Sequence, residues 1–140
     1  MRTTRLAIAV AALALCGVSV GAQDAGVRTV ASVREVMIDM VMPSSDALFG
    51  AAAGFEAPSE EGWTTLAREA RVLAEAGNLL LIGDRAHEGD DQWAAFARAQ
   101  VDVGADLLEA ITARDFDRVV ELNDPLYETC VNCHGQYLTN

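Results

Sequence analysis

The sequence predicts an all-α protein, built as an antiparallel up-down-up-down four-helix bundle. Four segments repeat apolar residues at the three-four spacing of a buried helical stripe. No segment alternates as a half-buried strand would, and no internal repeat is present. The junctions between the last three segments are short, which favours antiparallel neighbours.

The first segment carries Val30, Val33, Met37, Met40 and Val41, then Leu48 and Phe49 beyond Pro43. Proline lacks the amide donor a helix interior uses and clashes with the carbonyl four residues earlier, so Met42-Pro43-Ser44 is either a kink or a junction. In the second, Trp63, Leu66, Ala67, Ala70, Leu73, Ala74, Gly77, Leu80 and Leu81 form one stripe. Ser59 is placed to cap it, Glu60 and Glu61 suit its first turn, and Gly83 lies near its end. The third runs Trp93, Phe96, Ala97, Val101, Gly104, Leu107, Leu108 and Ile111, with Asp90 or Asp91 as its cap. The fourth opens at Asp115 and continues through Phe116, Val119, Val120, Leu126, Cys130, Cys133, His134 and Tyr137. Asp124-Pro125 reads as a fresh helix start, so this segment either kinks or splits into a short piece and a longer C-terminal helix.

The first 22 residues read as a cleaved secretion signal. Arg2 and Arg5 form a positive start, Leu6 to Val20 is apolar, and Val20-Gly21-Ala22 supplies small residues where a signal peptidase cuts. The run is short and wrongly flanked for a membrane span. Cys16 follows the bulky Leu15, which argues against lipid attachment there. Residues 23–140 then form a single domain, long enough for one core and too short for two. Export points to the periplasm of a bacterium.

Charge narrows the partners. The chain has a formal net charge of −11, all its basic residues are Arg, and removing Arg2 and Arg5 with the leader makes it more acidic still. Nucleic acid is excluded as an expected partner, and a docking protein should present a basic patch. No Ser/His/Asp set, glycine-rich phosphate loop or zinc-protease motif appears, so no enzyme activity is expected.

Chemistry concentrates in Cys130-Val131-Asn132-Cys133-His134. C-x-x-C-H is the attachment signature of c-type haem, with two thiols forming thioethers and the adjacent imidazole binding iron. On a helix, Cys130, Cys133 and His134 share one face. Structural zinc would want a second ligand pair, and His87 is the only other histidine. A thioredoxin-like pair would sit beside a strand, and a disulfide closing so short a loop would stabilise little. The expected cofactor is one covalent haem c near the C-terminal helix.

An exported four-helix pattern with C-x-x-C-H on its last helix resembles the class II cytochromes c, the cytochrome c′ and cytochrome c-556 group. Only a few residues follow His134, none of them Met, so a Met ligand has to lie upstream. The resemblance implies that Cys130 and Cys133 hold the haem and that His134 is the proximal iron ligand. It also implies an aromatic residue shortly after the motif, which Tyr137 matches, followed by a basic one, where Leu138 stands instead. A homodimer, common among such relatives, is left open.

The sixth ligand separates two functions within that group. A Met on the first helix gives a low-spin electron carrier; a non-ligating residue gives a five-coordinate protein that binds nitric oxide or other small gases. In an up-down-up-down bundle His134 lies level with the early turns of the first helix. With a rise of about 1.5 Å per residue, Met37 and Met42 are roughly 7–8 Å apart along it. Met37 is thus the best-placed distal ligand, and Arg34-Glu35-Val36-Met37 resembles the opening helix of the low-spin members. Met40 is the second choice, and the plain alternative for all three Met is flexible core filling. Arg34 is either a partner for a haem propionate or an exposed helix Arg. His87, among Glu88, Gly89 and Asp90, is a rival ligand only if its loop folds back over the haem. Trp63, Trp93 and Phe96 are expected in the core, or as pocket walls. The expected function is transfer of single electrons.

Overall fold

The computed structural model describes residues 27–54 and 56–138, so the leader, Cys16 and the cleavage position after Ala22 lie outside the described residues. Those residues are all-helical, with no strand among them. Helix α1 (Val33–Val36) passes through a π-helical turn (Met37–Val41) into α2 (Met42–Ala53). Then come α3 (Glu60–Leu79), α4 (Asp91–Ala113), α5 (Phe116–Glu121) and α6 (Asn123–Tyr137), with a 3₁₀ turn at Gly83–Arg85.

Ser32 starts α1 through a capping box: its hydroxyl accepts from the Glu35 amide, and the Glu35 carboxylate accepts from the Ser32 amide at 2.8 Å. Val30, placed by sequence in the first stripe, precedes this cap and is 83% exposed. The chain does not break at Pro43. A regular α-helical turn would press the proline ring against the Asp39 carbonyl. Instead the helix widens just before it, and the Met42 amide bonds the Met37 carbonyl five residues back. Val33–Ala53 is therefore one continuous helix, long and apolar enough by length and composition to cross a membrane. Here it packs Val36, Val41 and Leu48 into the core instead.

Ser59 caps α3 as expected, accepting from the Gly62 amide at 3.2 Å. Asp90, not Asp91, caps α4, accepting from the amides of Gln92 and Trp93. The last carbonyls of α3 have no ladder partner, and two side chains supply donors. Arg85, buried, donates to Leu79 at 2.7 Å and reaches back to Ala31 at 2.9 Å. The Trp93 indole donates to Leu80 at 2.9 Å. These bonds fix the loop between α3 and α4 and the segment before α1.

The axes of α3 and α4 come unusually close. A Cβ on Gly104 would lie 2.9 Å from the Ala74 backbone nitrogen, and one on Gly77 would lie 3.0 Å from the Ala97 carbonyl oxygen. Both obstacles are backbone, so neither can swing aside. Gly104→Val should force the helices apart and cost about 1–3 kcal/mol. Denaturant unfolding will show this as a lower midpoint; an unchanged midpoint would contradict the close approach.

Asp115 caps α5, accepting from the Arg118 amide at 3.0 Å. The fourth segment does split, at Leu122, and Pro125 falls in the first turn of α6, where no ladder amide is needed. Asp124 is already inside that helix; Leu122 occupies the cap position without a side-chain bond. Val120, assigned to the buried stripe, is 41% exposed, while Val119 and Leu122 are buried.

Candidate functional site

Fully buried Leu126, one turn before Cys130, turns one side of α6 to the core. Cys130, Cys133 and His134 fall at the edge of that side, and all three line one open cleft. The π turn contributes Met37 and Val41 to the same cleft, and the end of α3 contributes Leu80. Helix α4 adds Trp93, Phe96, Ala97 and Gln100. Apart from Gln100, Thr129 and the three motif residues, every lining residue is apolar. A mostly apolar lining with a few convergent polar groups is usual for a small-molecule or cofactor site.

Cys130 and Cys133 are free thiols, both half-buried. Burial pushes both up from the ordinary thiol range, and Cys130 beside it pushes Cys133 further. The Cys130 thiol donates to the Leu126 carbonyl at 3.5 Å. They are therefore protonated at neutral pH, held side by side one helical turn apart, and aimed at an apolar space. His134 is exposed at the rim. Among the described residues no group of three or more His, Cys, Asp or Glu side chains is gathered closely enough to hold a metal ion. The arrangement offers two attachment points and an imidazole rather than a closed ligand cage.

No protein-family model matches the chain, and no curated protein matches it. The chemistry of the cleft has to be read from its own residues.

Of the other residues singled out by sequence, Met37 lines the cleft, while Met40 is partly buried against the core outside the lining. Met42 is 51% exposed. Arg34 is exposed and outside the lining. Tyr137 stands behind the cleft: its ring meets Trp93 edge-on with centroids 5.1 Å apart, and its hydroxyl donates to Asp90 at 2.7 Å. His87 is exposed and stacks flat on Trp93, with centroids 4.1 Å apart and planes 2° apart. Its loop does not fold into the cleft. Sequence reasoning missed Gln100, Thr129 and the π turn. Gln100 carried a signal, because it is a polar residue three positions after Ala97 in a buried stripe.

Asp90 ties two helix ends together, as cap of α4 and acceptor for Tyr137 of α6. Burial, and then the Asp90 carboxylate, push the Tyr137 hydroxyl up to about 12, so it stays a donor throughout the neutral range. The Asp90 carboxyl is held below the usual aspartate range, first by the Tyr137 hydrogen bond and then by the Trp93 amide. A carboxyl depressed by folding contributes stability above its unfolded pKa and loses it as pH falls through the folded value. Asp90→Asn should thus show a shallower loss of thermal stability on acidification than the parent chain. Melting temperatures across an acid pH series will test this; parallel curves would contradict it.

Proposed function

We propose that the protein is an exported monohaem c-type cytochrome that carries single electrons, resembling the class II group in which the haem-bearing helix comes last. In this reading α1–α2, α3, α4 and α5–α6 run up, down, up and down as a four-helix bundle. The observation that carries the proposal is the convergence of Cys130, Cys133, His134 and Met37 on one apolar cleft. Two thiols three residues apart, followed at once by an imidazole, fit one haem c held by two thioethers and a proximal nitrogen.

Cys130 and Cys133 are the attachment points, His134 the proximal ligand, and Met37 the distal ligand. The bound haem supplies a one-electron couple at its iron. Val41, Leu80, Trp93, Phe96 and Ala97 exclude water and lower the local dielectric. The Trp93–Leu80 bond fixes the indole wall, and the Tyr137–Asp90 bond holds the far end of α6 against α4. Arg34, exposed one turn before Met37, is available to a propionate at the rim. In this reading the protein is a carrier and not an enzyme.

The redox partner is a protein with a basic patch, for a face of α6 that sets Asp124 and Glu128 beside exposed Tyr127 and Val131. Neither nucleic acid nor a membrane span enters this reading: Val33–Ala53 serves as a packed helix, and the leader directs the chain to the periplasm. Expression in a bacterium able to attach haem c tests the proposal. The purified chain should be red and keep its colour under full denaturation. Colour that leaves on denaturation, or a colourless chain, would overturn it.

A further inference from the structure

Gln100 sits in the middle of the buried stripe of α4, more than nine-tenths buried, at a position where every helical neighbour in the stripe is apolar or small. Its Nε2 donates to the Leu73 carbonyl of α3 at 3.1 Å. That bond does nothing for the backbone, because Leu73 lies inside α3 and its carbonyl already serves the helix ladder. It does orient the amide. A carbonyl only accepts, so the nitrogen has to face Leu73 and the oxygen has to face away. The close approach of α3 and α4 at Gly77 and Gly104 is what brings the Leu73 carbonyl within reach.

Gln100 lines the cleft shared by Met37, Cys130 and His134. No hydrogen bond to its oxygen is found among the described residues, and no polar side-chain atom there is sealed from solvent without a partner. The oxygen is therefore not sealed from solvent, and the cleft is the space that Gln100 lines. A buried amide in an apolar stripe is costly unless both its ends are used, and here one end is turned to the space the proposed cofactor would take.

Resting on the haem reading above, we propose that Gln100 tunes the iron: its amide dipole, negative end toward the cleft, favours the ferric state and lowers the reduction potential. Charge differences are felt strongly in a low-dielectric cleft, and iron gains a positive charge on oxidation. Gln100 is a positioning residue for that field and binds no iron itself. An apolar replacement removes the dipole and destabilises the ferric form. A glutamate replaces it with a full negative charge once it ionises, which burial beside the Leu73 carbonyl delays to higher pH.

The test is a redox titration of the full haem-loaded chain and of its Gln100→Leu and Gln100→Glu variants, followed by absorption. Gln100→Leu should raise the midpoint potential and leave the spectral shape of the reduced protein unchanged. At a pH high enough to ionise it, Gln100→Glu should lower the potential, so the pair moves in opposite directions, which a merely structural role would not produce. Potentials of both variants equal to that of the parent, or shifted the same way, would overturn the inference while leaving the haem reading intact. A parent chain that carries no haem would overturn both.

Discussion

Replacing Cys130 and Cys133 together with serine should abolish covalent pigment completely, so that the denatured chain carries no haem colour. The only other cysteine in the sequence is Cys16, and both thiols line the cleft. Serine nearly preserves the shape of each side chain, and both positions are only half-buried, so the helices should remain. The readout is haem absorbance retained by the chain after denaturation, with far-ultraviolet circular dichroism as the check on folding. His134→Ala makes the informative contrast: it keeps both thiols and removes the imidazole proposed as the proximal ligand. Its pigment should therefore stay with the chain while its spectrum changes. Full colour in the double serine variant would place the attachment elsewhere.

Met37→Leu should convert a closed, low-spin iron into an open one that takes carbon monoxide. Among the described residues Met37 is the only methionine in the cleft lining, and a thioether is a familiar axial ligand of c-type haem. Leucine has nearly the same volume and no donor atom, so packing is conserved and the change reports on ligation. Met40→Leu is the control, because Met40 packs on the core and does not reach the lining. It should leave the spectrum as it was. A Met37→Leu protein indistinguishable from the parent would remove Met37 from the iron.

Much of this was legible in the sequence, for physical reasons that differ by element. The helical stripes around Trp63–Leu73 and Trp93–Ile111 are set by a local period of 3.6 residues, which needs no tertiary information. The shared face of Cys130, Cys133 and His134 was legible because positions i, i+3 and i+4 of a helix lie on one side. Met37 reached the cleft from the same reasoning about helix rise. Pro43 was not resolved, because a π turn depends on whether the surrounding core holds one widened helix together. The Leu122 break was half legible: Pro125 marked a helix start, but Asp124 looked a better cap than the leucine that occupies the position. The Tyr137–Asp90 bond joins residues 47 apart, and nothing local to either announces it. Gln100 is the most instructive miss. It was not singled out, because its polar side chain interrupts the apolar stripe, yet its register alone placed it inside.

The absorption spectrum of the reduced, haem-loaded protein with and without carbon monoxide tests the central claim most directly. The proposal of an electron carrier closed by His134 and Met37 predicts sharp low-spin bands that the gas leaves unmoved. Broad high-spin bands that sharpen when the gas is added would contradict Met37 ligation and make the protein a binder of small gases.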